Sequence, residues 1–169
     1  MERNEIAKWV YERALAEARG FGLVVDEALS CHDRPWGGFL RIREESFGGF
    51  ADAYWRGVEI PQPAPGLRLD PKILLVAPGA RLSLQYHHRR SEHWRVLDGP
   101  VRIVTGTGEA DLVEKVYHPG DVLRLGLSEW HRLVGGDTWG RVAEIWQHSD
   151  PANPSDEDDI VRVQDDYGR

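Results

Sequence analysis

The chain has 169 residues, 41% of them apolar and 29% charged, with a net charge of −7. That length supports one domain with a buried core, and the acidic balance argues against non-specific binding to nucleic acid or anionic membranes, while leaving room for a local basic pocket. The single cysteine, Cys31, excludes an internal disulfide and suits a reducing cytoplasm; no apolar run is long enough to span a bilayer, and the charged N-terminus lacks the apolar segment of a secretory signal.

Ile6, Trp9, Val10, Ala14 and Ala18 recur at helical spacing before Gly20 and Gly22, which predicts an amphipathic helix within residues 1–22. Its apolar stripe is expected to pack on the rest of the domain or on a second subunit. Residues 23–169 then read as one domain. FGLVV, GGFLRI, ADAYWRGVEI, KILLVA, RLSLQYH, EHWRVL, VRIVTG, DLVEKVYH, DVLRLG, EWHRLVG and RVAEIWQH are short, β-branched or aromatic, and separated by Gly, Pro or Asp. Such regular short runs predict strands of an all-β sandwich or barrel. PQPAPG, residues 61–66, reads as a loop, since proline cannot serve a central strand. PANPSDEDD, residues 151–159, reads as an acidic connection before a short tail.

One stretch, SLQYHHRRSEHWRVLDG at residues 83–99, gathers groups that are hard to bury. Strand alternation puts Gln85 and His87 on one face, and after the HRRS turn Glu92 and Trp94 return to it. His88 and His93 point the other way. Gln, His and Glu converging from adjacent strands offer the N and O donors that a divalent metal takes. An exposed hairpin with a solvated polar face explains this stretch alone equally well.

The wider spacing favours the metal reading. Gly79, five residues, Gln85-Tyr86-His87, four residues, Glu92, six residues and Gly99 resemble the first motif of the cupins, with Gln85 where a second His is usual. Gly120-Asp121 opens a second stretch, and His131, ten residues after Asp121, resembles the His of the second motif. That match is looser: Gly126, Ser128 and Gly135 stand where Pro, Gly and Asn are usual. The resemblance implies a cupin barrel, a double-stranded β-helix or jelly roll, behind an N-terminal α-helix. It also implies one divalent metal ion per chain on Gln85, His87, Glu92 and His131. Zinc is the first choice, given N and O donors without cysteine.

PGARLSLQYHHRRSEHWRVLDG, residues 78–99, is similar to the signature of the type II phosphomannose isomerases, cupins often fused behind a mannose-1-phosphate guanylyltransferase. In that family Gln replaces the first cupin His. Arg34-Pro35-Trp36-Gly37, Lys72, residues 157–162 and the terminal Asp166-Tyr167-Gly168-Arg169 resemble further family features. Departures are Glu144-Ile145-Trp146 in place of the family's Glu-Val-Gln, the extra residues up to Glu157, and a long region between Trp36 and Lys72. The resemblance implies a metal-dependent aldose–ketose isomerase of a phosphorylated sugar, with mannose 6-phosphate and fructose 6-phosphate as the leading pair. It implies Arg90 and Lys72 as catalytic residues, and Arg169 as a residue that folds back onto the substrate. A glycine-rich nucleotidyltransferase loop is absent from these residues, so guanylyltransferase activity is not expected of them. The catalytic base stays unassigned. A homodimer is expected, with no nucleic-acid or membrane partner. Two alternatives stay open: a non-catalytic sugar-binding cupin, and another metal-cupin enzyme, either an isomerase of a different sugar phosphate or an oxygenase.

Overall fold

The computed structural model describes residues 3–168, and its first element is the expected helix, α1 (Arg3–Gly20). Tyr11, Ala14, Leu15 and Ala18 are buried, on the single face that such spacing produces. They join Leu40, Ile73, Leu75 and Ile145 in one cluster, so the chain's own barrel covers the stripe. Trp9, expected on that stripe, is instead 49% exposed beneath the Arg13 guanidinium.

Strands β1 (Cys31–Arg34) and β2 (Gly37–Arg41) form a hairpin that turns at Pro35-Trp36. Gly37 sits at φ 140°, and a Cβ there would stand 2.0 Å from the Leu75 carbonyl oxygen. Only glycine lets β2 approach β3 (Leu69–Val76) this closely. Residues 51–60, expected as a strand, belong instead to α2 (Phe47–Tyr54) and the loop after it. Phe47, Phe50 and Tyr54 recur at helical spacing and pack into the same cluster as α1, a period that Gly48 and Gly49 obscure in the sequence. FGLVV supplies only an isolated bridge from Val25 to Ile42.

The later strands are β4 (Leu84–His87), β5 (Arg90–Asp98), β6 (Val101–Gly106), β7 (Val113–Tyr117), β8 (Val122–Leu125), β9 (Trp130–Gly135), β10 (Gly140–His148) and β11 (Ile160–Gln164). β11 lies in what the sequence suggested was only a tail; it pairs with β4. The strands make two antiparallel sheets, in the orders β1-β2-β3-β10-β5-β8 and β11-β4-β9-β6-β7. This is the expected cupin jelly roll with an N-terminal helix. No helix among the described residues is long and apolar enough to cross a membrane.

Alternation sorts the six-stranded sheet into two faces. Ile73 and Leu75 of β3 face the helices, while Leu74 and Val76 face the space between the sheets. Register carries this division sideways: Arg41, Lys72, Glu144 and Trp94 form one row across β2, β3, β10 and β5. The interior therefore grades along the strands. One end is a dry cluster that includes Val76, Val96, Val101, Ile103, Leu133 and Val142. Each such side chain contributes roughly 1.5–3 kcal/mol on burial, and together they offset the cost of a charged far end. That far end opens into a cavity of about 620 Å³ walled by Arg41, Lys72, Arg90, Glu92, Glu144 and Trp146, among others.

Candidate metal centre

The β4–β5 hairpin turns at His88-Arg89, and the turn's two backbone N–H groups are donated to the Asp159 carboxylate, at 3.2 and 3.0 Å. Burial opposes a charge on Asp159, but hydrogen bonds from Ser155 and from these two backbone groups outweigh it and hold its pKa low. A tight turn with its donors satisfied fixes the register of His87 on β4 and of Arg90 and Glu92 on β5. β9 lies on the other side of β4, with His131 directly opposite Gln85. His88 and His93 point away from the interior, as alternation predicts. His88 is exposed beside Ser128, and His93 meets the Gln147 side-chain oxygen at 2.9 Å.

His87, Glu92 and His131 are buried and bring one ligand atom each within 4.8 Å of one another. His87 Nε2 stands 3.0 Å from Glu92 Oε1, and His131 Nε2 stands 3.4 Å from Glu92 Oε2. Ligand atoms on a tetrahedral ion with bonds of 2.0–2.2 Å are roughly 3.3–3.6 Å apart; the two contacts to Glu92 lie near that separation, each on its own carboxylate oxygen, and a shared cation would draw the set together and take the place of the Arg90 contacts to Glu92 Oε1 and His87 Nε2. His131 Nδ1 lies 2.9 Å from the Glu129 carbonyl oxygen, which can only accept, so the proton sits on Nδ1. Nε2 then carries a lone pair, and it has no hydrogen-bond partner among the described residues although it is fully buried. A backbone carbonyl that fixes the tautomer while the other nitrogen faces a carboxylate is the arrangement of a ligating histidine. Burial lowers the pKa of His87, which favours the neutral form that a metal requires. Gln85 lines the cavity beside Glu92. Its side-chain oxygen accepts from Ser83 Oγ at 2.7 Å, and it stands next to the three-residue cluster.

Arg90 is 1% exposed, and nearly every donor it has is engaged. Nε donates to Glu92 Oε1 at 2.8 Å, Nη1 to Ser155 Oγ at 2.9 Å and to the Asp156 carbonyl at 3.1 Å, and Nη2 lies 3.2 Å from His87 Nε2. The guanidinium lies 3.6 Å over the ring of Trp146. Lys72 is buried too, with Nζ 4.3 Å from the Phe39 ring and 4.8 Å from that of Trp146. Arg169 lies outside the described residues.

One further carboxyl, given no role by the sequence, belongs to the site. Glu144 stands on β10 in the row of Lys72 and Trp94 and lines the cavity. The Trp94 indole N–H is shared between Glu144 Oε1 at 3.0 Å and Glu92 Oε2 at 3.2 Å. Burial first, and then the negative charge of Glu92, push the Glu144 pKa up to about 8, with Lys72 pulling the other way. The pKa values of two adjacent buried carboxyls are thus driven apart, toward an ionised Glu92 and a protonated Glu144. Alternation in RVAEIWQH, with Val142, Glu144, Trp146 and His148 on one face, was the available signal. Ser155 has no counterpart among the expected residues, and Asp159, within the family-like stretch 157–162, had no role assigned. Ser155 N–H donates to His148 Nδ1 at 3.0 Å, and His148 Nε2 meets Asp70 Oδ2 at 2.9 Å. Residues 155–159 are thereby pinned beside Arg90.

The model of the family described as mannose-6-phosphate isomerase C-terminal matches residues 65–165. The xanthan biosynthesis protein XanB of Xanthomonas campestris pv. campestris is 36% identical over 104 residues, which cover 62% of this chain and 21% of that protein. The mannose-1-phosphate guanylyltransferase ManC of Salmonella typhimurium is 36% identical over 107 residues, 62% of this chain and 20% of that protein. The chain thus spans about a fifth of the length of the curated relatives it matches. Among solved structures, the formate complex of Lactobacillus farciminis oxalate decarboxylase superposes with a TM-score of 0.54 at 15% identity, over 84% of this chain and 34% of that one. That likeness supports the cupin fold and nothing finer.

Proposed function

The chain belongs to the mannose-6-phosphate isomerase C-terminal family, and from that premise we propose that it is a metal-dependent aldose–ketose isomerase of a sugar phosphate, with mannose 6-phosphate and fructose 6-phosphate as the leading pair. The observation that carries this reading is the orphaned His131 Nε2 facing Glu92, in the wall of a cavity that also holds Arg90, Lys72 and Glu144. Gln85, His87, Glu92 and His131 are the proposed ligands. Zinc is the first choice, because the set offers N and O donors with no thiolate. When bound, the ion polarises the substrate carbonyl and steadies negative charge that develops on its oxygen.

The chain's own residues do the rest. Isomerisation moves a proton between C1 and C2 of the open-chain sugar. Glu144 stands outside the ligand set yet inside the cavity wall, and a cation held by Glu92 would offset the negative charge that helps Glu144 keep its proton, so it is the carboxyl we assign to that proton transfer. Arg90 holds Glu92 in orientation and brings a fixed positive charge to the wall, where enediolate charge is stabilised without reorganisation. Lys72 contributes a second cation on the substrate side. The pinned segment 155–159 limits water access beside Arg90.

A panel of hexose, pentose and heptose phosphates offered to the zinc-loaded protein tests the proposal; conversion of none of them sinks it. The proposed assembly is a homodimer, with half-exposed Trp9 on α1 as the residue a second copy would cover. Light scattering that gives a monomer mass at all concentrations would end that part.

A further inference from the structure

We propose that Arg41 and Lys72 form the seat for the substrate's phosphate, and that the carboxylate of Glu157 competes for that seat. The inference rests on the reading that the ligand is a phosphorylated sugar, and it adds where the phosphate lies and what opposes it.

Arg41 and Lys72 are direct cross-strand partners on β2 and β3, and both line the cavity. With Arg90 they gather around one indole: Arg41 lies 5.2 Å, Lys72 4.8 Å and Arg90 3.6 Å from the ring of Trp146. Three cations around one ring, in a chain of net charge −7, repel one another unless anions balance them. Arg90 is already committed to Glu92 at 2.8 Å. The other two are held only loosely. Arg41 stands 3.7 Å from Asp70 and 3.9 Å from Glu157, and Lys72 stands 3.7 Å from Glu157. These separations exceed hydrogen-bond length. The five N–H donors of an arginine and the three of a lysine are therefore far from satisfied by carboxylates here.

A single oxygen, Glu157 Oε1, faces both cations. A phosphate at that point presents three oxygens, enough for the arginine fork and a lysine contact together. The Trp146 indole N–H adds a further donor. It has no hydrogen-bond partner among the described residues, and Trp146, 2% exposed, lines the same cavity.

Glu157 is built to yield. Its side chain is 57% exposed, whereas its neighbours on both sides are anchored. Asp159 holds the 88–89 turn, and Ser155 bridges Arg90 and Asp159. Vacating the seat needs only rotation of one side chain into solvent, a fast motion, with the backbone left in place. Three strand spacings, roughly 14 Å, separate β2 from β5. Arg41 and Glu92 line the same cavity, with the seat on the β2–β3 side and the proposed ligands on the β5 side. The phosphate is thereby placed on the carbon chain's end remote from the reacting carbonyl.

Calorimetric titration of inorganic phosphate at pH 7.5 into the zinc-loaded wild type, Glu157→Gln and Arg41→Met tests the seat. Glu157→Gln should bind phosphate about two- to fivefold more tightly, the range expected when an exposed ion pair is removed. Arg41→Met should bind about tenfold more weakly or worse. His131→Ala should retain phosphate binding; its loss there would show that phosphate sits on the ion and would overturn the seat. Unchanged affinity in both seat variants would do the same. A loss in Arg41→Met without a gain in Glu157→Gln would remove the competitor from the proposal. Phosphate titration needs no turnover, so a seat that behaves as expected while no sugar phosphate is converted leaves this inference standing and removes the isomerase reading.

Discussion

Replacing Glu92 by glutamine keeps the shape of the side chain and deletes its charge. Glu92 is 1% exposed and faces Arg90 Nε at 2.8 Å, His87 Nε2 at 3.0 Å, Trp94 Nε1 at 3.2 Å and His131 Nε2 at 3.4 Å. Burial opposes its charge, but His87 and then Arg90 outweigh burial and hold its pKa well below the carboxylate range. The substitution strands Arg90, equally buried, without its nearest counter-charge, and breaking a buried pair costs about 3–5 kcal/mol. Glu144 limits the damage. Part of its raised pKa comes from the charge on Glu92, so without that charge it ionises more readily and balances Arg90 in part. The expected loss therefore lies near the lower bound, about 3 kcal/mol. It is to be read from urea unfolding of chelator-treated protein at pH 7.5, with an unchanged slope. The pH dependence has a definite sign. A depressed pKa gives stability that is full above the unfolded-state value, about 4.3, and is lost as pH falls through the folded value. The gap between wild type and variant should be full at neutral pH and close below about pH 4. A loss under about 1 kcal/mol, or a gap that widens on acidification, would show that Glu92 is not the counter-charge of Arg90.

Three further outcomes follow from the same geometry. His131→Ala should lose bound zinc by elemental analysis while its circular dichroism stays native, because the dry end of the barrel is untouched; full occupancy would exclude His131 as a ligand. Arg90→Lys keeps the charge but loses the fork to Glu92 and Ser155, so turnover should fall about tenfold or more with metal content unchanged. Wild-type turnover in that variant would leave Arg90 a purely structural role. Glu144→Gln should lower kcat by about 10²–10⁴ with KM and zinc content near wild type; an unaltered kcat would return the proton transfer to another group.

The legible parts of the site were those with local periodicity. Gln85, His87 and Glu92 share a face because two short strands alternate on either side of one turn, and that pattern lies within a single stretch. His131 was legible only through its spacing from Gly120-Asp121, since one histidine in EWHRLVG gives no sign of its partner. Glu144 was hidden because β10 is covered on both faces, by helices on one side and by the second sheet on the other. Alternation sets Glu144 and His148 on one face of β10, but with both faces covered it does not say which of them lines the cavity. α2 was hidden by Gly48-Gly49, which break the apolar run that marks a helix. The roles of β11 and Asp159 were illegible for a different reason. Their meaning depends on β4 and the 88–89 turn, about seventy residues earlier in the chain, and no local pattern encodes that contact.

Aldose–ketose conversion at this centre is followed by nuclear magnetic resonance of mannose 6-phosphate with the zinc-loaded protein in D₂O. Fructose 6-phosphate signals should grow until the two sugars reach equilibrium, and a chelator should halt the growth. Deuterium in the carbon that loses its proton would add the signature of an enediol route, although a shielded carboxyl that returns the same proton leaves less of it. A folded, zinc-loaded protein whose mannose 6-phosphate spectrum stays unchanged would contradict the claim for that sugar pair.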